Sequence, residues 1–409
     1  MSQPAIAVVQ RTHSCRTCRP RVVIVAAVAY TVDVFLTEQI RGMREAGYDV
    51  TVVCSPGKEF NRFDEHGLDW HPIPIPRSIK PFGLARATWR LYRLFRSTRP
   101  SIVHTHTPIA AFLGQVAAWM ARVPNRVTTV HGLYFVNVAN RVLRLLFRTL
   151  EIAACRIAHR VICVTDEDTQ YLVRQQGMRR SKLVTLHVGV DLGAHCLHST
   201  GDAQRRLVRQ KLDIPQDAVV FGIVARMVRE KGFEELFQAF AQLCQSHRNI
   251  YLVHVGPVDD CKADAITPED AKRHGCFDRC RFAGIRHDVP QLLAAMDVFC
   301  LPSHREGYPV SIMEAAAMGL PCITTDIRGC REAVLDGKTG LVIPVRNVRA
   351  LAAAMERLLL SSTLRVMMSQ NAVRRAHEEF DRRLVVQQTL RLYQRMSESV
   401  GAPPRSPRD

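Results

Sequence analysis

The sequence predicts an α/β protein built on parallel sheets. Short, continuously apolar runs such as 22–28 (VVIVAAV) and 219–225 (VVFGIVA) suit strands buried on both faces. Helical patterns separate these runs, as crossover connections between parallel strands require. At 409 residues, 47% of them hydrophobic, the chain is long enough for two domains with proper cores.

The first run leads into AYTVD (29–33), read as a loop, then a helix ending near Ala46 at Gly47 and a second strand at 50–54. That order is a βαβ unit. A helix over about 84–97 repeats Arg86, Arg90 and Arg93 at helical spacing. A second basic helix, NRVLRLLFR, puts Arg141, Arg144 and Arg148 on one face. Such faces suit either an anionic membrane surface or ordinary solvation over a packed helix. Two further strands, 102–105 and 127–131, carry His104, His106 and His131. The His-x-His pair has no flanking carboxylate, so a metal site is not expected and His104 and His106 are assigned to structure. A strand over 183–187 precedes VGVD (188–191).

In the second half, a polar, Arg-rich piece (199–211) leads to the strand at 219–225. Arg226 and Lys231 follow in a loop, and Gly232 opens a helix. Further strands are expected at 251–256, 281–283 and 298–301, then helices over 348–360, to about 379, and 384–396. The densest chemistry lies in REGYPVSIMEAAAMGLP (305–321). Glu306 sits in a loop after a strand, Gly307-Tyr308-Pro309 makes a turn, and a helix from Val310 carries Glu314. Gly319 and Pro321 stop that helix. The unpaired amides at a helix start attract phosphate, and a carboxylate one turn in can accept hydrogen bonds from sugar hydroxyls. A ribose, a diphosphate and a hexose in a row would meet these groups in turn. Dipole compensation by an acidic residue is the ordinary alternative for Glu314, and solvated loop charge the ordinary alternative for Arg226 and Lys231.

The Glu306-x7-Glu314 spacing, with VARMVREKGF (224–233) upstream, resembles the signature of retaining glycosyltransferase family 4. Its nearest likeness is to bacterial capsule, exopolysaccharide and O-antigen enzymes, and the matches run from about residue 21 to about 380. The resemblance implies the GT-B fold, two Rossmann-like domains facing across a cleft. The N-terminal domain would span 21–190 and the C-terminal donor-binding domain 191–380. A helix over 381–400 would cross back, with tails at 1–20 and 401–409. It implies that a hexose leaves a nucleoside diphosphate, UDP above all, with retention and without a required metal or cofactor. Arg226, Lys231 and the Val310 and Ser311 amides would face the leaving diphosphate. Glu314 would hold the ribose, and Glu306 and His131 the transferred sugar. Gly307, Tyr308 and Pro309 would shape the donor site, Gly284, Ile285 and Arg286 the base pocket, and Tyr30 and Thr31 the acceptor side. Two departures stand out: AYTVD lacks the paired glycines of many members, and Val188 replaces the Asn usual at the hinge.

The net charge of +18 points to an anionic partner. Here that is a nucleotide-sugar, a lipid-linked glycan acceptor and a membrane surface rather than nucleic acid. Cys54, Cys163, Cys300 and Cys322 lie in apolar runs, as buried thiols in a reducing compartment do. Cys15 with Cys18, and Cys276 with Cys280, are isolated pairs and not expected to bind zinc. No stretch reaches the ~20 apolar residues of a membrane span, and no signal peptide is expected at the Arg-rich start. The location expected is the cytoplasm, peripheral on the inner face of the plasma membrane. Two other classes remain open: a UDP-sugar 2-epimerase on a similar fold, and a non-catalytic basic surface protein.

Overall fold

A computed structural model describes residues 19–57, 60–76, 80–195, 201–258 and 264–401. Cys15, Cys18 and most of both expected tails lie outside the described residues. The chain forms two sheets, every strand pair in them parallel. The first runs β1 (Arg21–Val28), β2 (Asp49–Ser55), β3 (Asp69–Pro72), β4 (Ile102–His106), β5 (Asn125–Val130), β6 (Arg160–Cys163) and β7 (Leu183–Thr185), in spatial order 3-2-1-4-5-6-7. The second contains β8 (Val219–Val224), β9 (Ile250–Val255), β10 (Cys280–Phe282), β11 (Val298–Leu301), β12 (Cys322–Thr325) and β13 (Gly340–Ile343), in order 10-9-8-11-12-13. The α/β class and the GT-B arrangement follow from this pairing of doubly wound sheets.

Helices cover both faces of each sheet, which explains the continuous apolar strands. Val22 to Val25 and Val52 to Cys54 are fully buried. The second core gathers Phe221, Phe233, Phe237, Phe240 and Phe299; burying a side chain of this size contributes roughly 1.5–3 kcal/mol. Cys54, Cys163, Cys300 and Cys322 are buried free thiols. Cys276 and Cys280 are packed in the second core, their thiols bonded to each other and to nearby carbonyls, and among the described residues no three His, Cys, Asp or Glu side chains could hold a metal.

One reading of the sequence needs correction, and two elements went unread. AYTVD is not a loop: β1 passes directly into the helical turn Ala29–Thr31 and a π-helical segment, Val32–Leu36, before the helix Thr37–Glu45. Thr37 Oγ1 donates back to the Val32 and Asp33 carbonyls, which holds the widened turn. The polar piece before β8 forms the helix Asp202–Lys211. Its arginines are ligands of a largely buried carboxylate: Arg205 and Arg209 donate to Asp297 at 2.6 and 2.8 Å, and Arg209 is almost fully buried. The strand β3 (DWHP) is a short polar edge strand with no apolar pattern to betray it.

The two lobes are joined twice. The chain leaves the first through 188–191 and returns at 380–382, and the two crossings pair: Val190 N–H donates to Phe380 O at 2.8 Å and Arg382 N–H to Val190 O at 3.0 Å. The final helix, Arg382–Gly401, then packs on Thr37–Glu45. Its Tyr393 is fully buried against Tyr48 and His104.

Candidate functional site

In each sheet the strand order reverses direction once, between β1 and β4 and between β8 and β11. Connections leave these neighbours in opposite directions, so a crevice opens beyond their carboxyl ends. The two crevices face each other and enclose a cleft of about 730 Å³, a size suited to a nucleotide-sized ligand.

On the C-terminal side, the loops after β8 and β11 carry the charged groups. They interlock: His304 N–H donates to Glu230 O at 2.8 Å, and Gly232, with φ +77°, lies so close to the Pro302 carbonyl that a Cβ would collide with it. The glycine after Lys231 is therefore required for the approach. The contact brings Lys231 Nζ to 2.6 Å from Glu306 Oε1, which also accepts from Ser303 Oγ at 2.7 Å. Both charged groups are largely buried, and removing either partner would leave the other charge poorly compensated. Arg226 lies beside them, half-exposed, 3.8 Å from Glu230. Pro309 stands at the N-cap of the helix Val310–Ala317, whose first residues, Val310 and Ser311, line the cleft. One turn on, burial pushes the Glu314 carboxyl up to about 7 despite the opposing pull of Arg382.

The N-terminal wall is built differently. Tyr30 and Thr31 line it directly after β1. Thr107, at φ 63° after β4, is a strained non-glycine residue, held by Ala27 N–H donating to its Oγ1 at 3.1 Å. Behind it lies a buried histidine cluster. His104 bonds Tyr393 Oη at 2.6 Å through Nδ1 and Thr129 Oγ1 at 2.7 Å through Nε2. His106 Nδ1 lies 3.0 Å from His131 Nε2. Burial lowers His131 to about 4 and His104 to about 3, and His106 far below its ordinary value, so all three are neutral at pH 7. Glu151, buried and raised to about 7, accepts from the Tyr134 and Phe135 amides and so holds the loop after His131 in place.

The walls touch at backbone level. A Cβ on Gly132 would meet Gly307 Cα at 2.9 Å, and one on Gly307 would strike the His131 carbonyl. His187 stacks on Tyr308 with ring centres 4.8 Å apart. At the rim, Glu332 accepts from the Asp166 and Glu167 amides at 2.7 and 2.8 Å, and Arg328 pairs with Asp168 at 3.0 Å. A side chamber of about 230 Å³ opens there past Glu306, between Arg305, Arg328 and Asp168.

The cleft thus gathers Arg226, Lys231, Glu306, Gly307, Tyr308, Pro309, Val310, Ser311, Glu314, His131, Tyr30, Thr31, Ile285 and Arg286 into one lining. Tyr308 is mostly hinge, its ring buried against His187 and Phe380. Arg286 is engaged by Asp288 at 2.6–2.7 Å. Gly284 does not line the cleft; its carbonyl accepts from Gly256 N–H just behind the wall. Thr107, Tyr134, Glu151 and Phe35 also line it, and the sequence reading did not single them out. The Thr107-Pro108 pair after a strand was a readable helix start; Glu151, inside an amphipathic helix, gave no such signal.

Two facing Rossmann-like lobes with a charged donor-side wall define a GT-B glycosyltransferase. Comparison with known proteins gives the family. Residues 32–194 match the model of Glycosyltransferase Family 4 and residues 204–375 that of glycosyl transferases group 1. The chain thus carries a Glycosyltransferase Family 4 domain followed by a glycosyl transferases group 1 domain. It is 27% identical over 357 residues to the capsular polysaccharide biosynthesis glycosyltransferase CapM of Staphylococcus aureus, covering 87% of this chain and 92% of that one. It is 28% identical over 327 residues to the Escherichia coli UDP-Gal:alpha-D-GlcNAc-diphosphoundecaprenol alpha-1,3-galactosyltransferase, covering 78% and 82%. Among solved structures, HepE of Anabaena in complex with UDP superimposes with a TM-score of 0.79 over 91% of this chain and 99% of that one, at 20% identity.

Proposed function

We propose that this enzyme moves a hexose or N-acetylhexosamine, with retention, from a UDP-sugar to a lipid-linked sugar acceptor during surface polysaccharide synthesis. One observation carries the reading: loops from separate strands bring Lys231 and Glu306 together at the β8/β11 crevice, facing His131 across the glycine contact. Loss of the diphosphate leaves an oxocarbenium-like sugar, so stabilising charge on the leaving phosphates is the main catalytic need. Arg226, Lys231 and the Val310 and Ser311 amides serve it, with no metal required. Glu314 holds the ribose and Glu306 the transferred sugar. The acceptor hydroxyl then returns on the face the diphosphate leaves. The relative acting on a diphosphoundecaprenol-linked sugar supports the acceptor class. Membership of a glycosyltransferase family leaves the epimerase and non-catalytic readings without support.

Among the described residues no helix is long and apolar enough to cross a membrane. Two helices of the first lobe support attachment to the cytoplasmic leaflet. In Arg141–Ile157, Val142 and Leu145 are 75% and 62% exposed beside Arg141, Arg144 and Arg148. In Pro81–Thr98, Phe82 and Trp89 are exposed beside Arg86 and Arg93. Exposed apolar groups framed by arginine fit an anionic lipid surface better than a solvated face.

The deciding experiment incubates the protein with UDP-sugars, each with and without a polyprenyl-diphosphate-linked sugar, and reads product and anomeric configuration by NMR. Transfer with the anomeric configuration kept supports the proposal. Isomerised sugar without acceptor, or an inverted linkage, overturns it.

A further inference from the structure

His106 takes no part in the reaction as proposed, yet it is 1% exposed and its ring meets His131 at 3.0 Å. Two neutral imidazoles at this distance share one proton: either His106 Nδ1–H donates to His131 Nε2, or His131 Nε2–H donates to His106 Nδ1. The far nitrogen of His106 decides between them. Nε2 is buried and finds no hydrogen-bond partner among the described residues. If the proton of His106 sat there, a buried N–H would go unpaired, a rarer and costlier state than an unpaired acceptor lone pair. The proton therefore belongs on His106 Nδ1, and His131 Nε2 must accept it.

We infer that His106 is a positioning residue that holds His131 in its Nδ1–H tautomer, so that a sugar oxygen in the cleft meets a hydrogen-bond donor. This rests on the reading of His131 as a contact of the transferred sugar. The neighbouring His104 is spent on Tyr393 and Thr129. The His104 ring, tilted 35° against His106 with ring centres 4.3 Å apart, packs against the His106 plane and hinders its turning. A fixed donor suits a hydroxyl oxygen of the transferred sugar, and it needs no proton exchange with solvent to stay in that form.

The test has a spectroscopic arm and a kinetic arm on the full chain. Long-range 1H–15N correlation of histidine-labelled protein, with His131→Ala for assignment, reads the tautomer. A pyridine-like Nε2 and a pyrrole-like Nδ1 on His131 are expected; the reverse pattern, as a water on His106 Nε2 would produce, overturns the inference. Kinetically, His106→Asn keeps an N–H near the Nδ1 position and His106→Leu removes it. The Leu variant should lose roughly 10- to 100-fold in kcat for transfer, the range for outer-shell partners of a ligating histidine, with UDP binding by calorimetry unchanged. The Asn variant should recover most of that loss. Equal activity of the two variants overturns the positioning role. Wild-type transfer by His131→Ala would instead sink the role given to His131 itself and leave the tautomer result standing.

Discussion

The two walls of the cleft solve the same problem with opposite chemistry. The C-terminal wall is charged: Lys231, Glu306 and Arg226, with Glu314 behind them. The N-terminal wall is built around neutral histidines: His104 is bonded to Tyr393 and Thr129, and His106 to His131. A diphosphate needs fixed cations and amides, and a charge can only be held at a fixed place when its partner is fixed too. A sugar hydroxyl needs oriented neutral donors and acceptors. In the reaction proposed above, the charged lobe meets the diphosphate and the histidine-lined lobe meets the sugar.

The strongest way to break that contrast is Lys231→Ala. Losing one preorganised cation should lower kcat by roughly 10²–10³-fold, with the thermal midpoint showing that the fold survives. Undiminished transfer would remove the charged wall from the chemistry. Next is the pH profile of Glu314→Gln. Glu314 titrates near 7 in the native state against an ordinary 4.5, so the folded chain binds the extra proton across that window. Stability from this group is therefore lost as pH rises from about 4.5 to 7. The Gln variant should be more stable than wild type at pH 8, by up to about 3 kcal/mol, and no more stable at pH 4. A constant difference across denaturant curves at both pH values would refute the assignment. The histidine wall predicts the opposite slope. His131 and His104 are lowered to about 4 and about 3 from 6.5, so the unfolded chain binds more protons below pH 6.5. Stability should fall by roughly 1.4 kcal/mol per pH unit per histidine as pH drops from 6.5 toward 4. Urea titrations of His104→Gln should show a shallower acid limb. The smallest effect concerns the first lobe's outer face. Arg144→Glu with Arg148→Glu should weaken sedimentation with anionic vesicles by about 1 kcal/mol per charge removed, leaving transfer to a short soluble acceptor intact.

The same contrast explains what the sequence revealed. Charge spaced along a loop and a helix start is visible in one dimension, so Arg226, Lys231, Glu306 and Glu314 could be picked out, and the family resemblance supplied the roles expected of them. The parallel strands were equally legible, because strands covered on both faces are written as unbroken apolar runs. The neutral wall was not. His104 and His106 gain their partners from β5 and from Tyr393, 289 residues beyond His104, and no local pattern encodes such pairings. Glu151 sits inside an amphipathic helix with no local signal, and only the turn of the 134–137 backbone toward it makes it a buried acceptor. The helix Asp202–Lys211 was hidden because its polar composition disguises arginines that turn inward to Asp297.

The bare peptide contact between Gly132 and Gly307 has one more consequence. It works as a mechanical stop whose thickness is set by two hydrogen atoms. A single methyl group there, as in Gly307→Ala, would act as a shim and prop the jaws ajar at the place where, in the proposed reaction, His131 and Glu306 share a sugar. Such a variant should fold normally and still capture nucleotide, while the shut, water-free state needed for transfer is never reached.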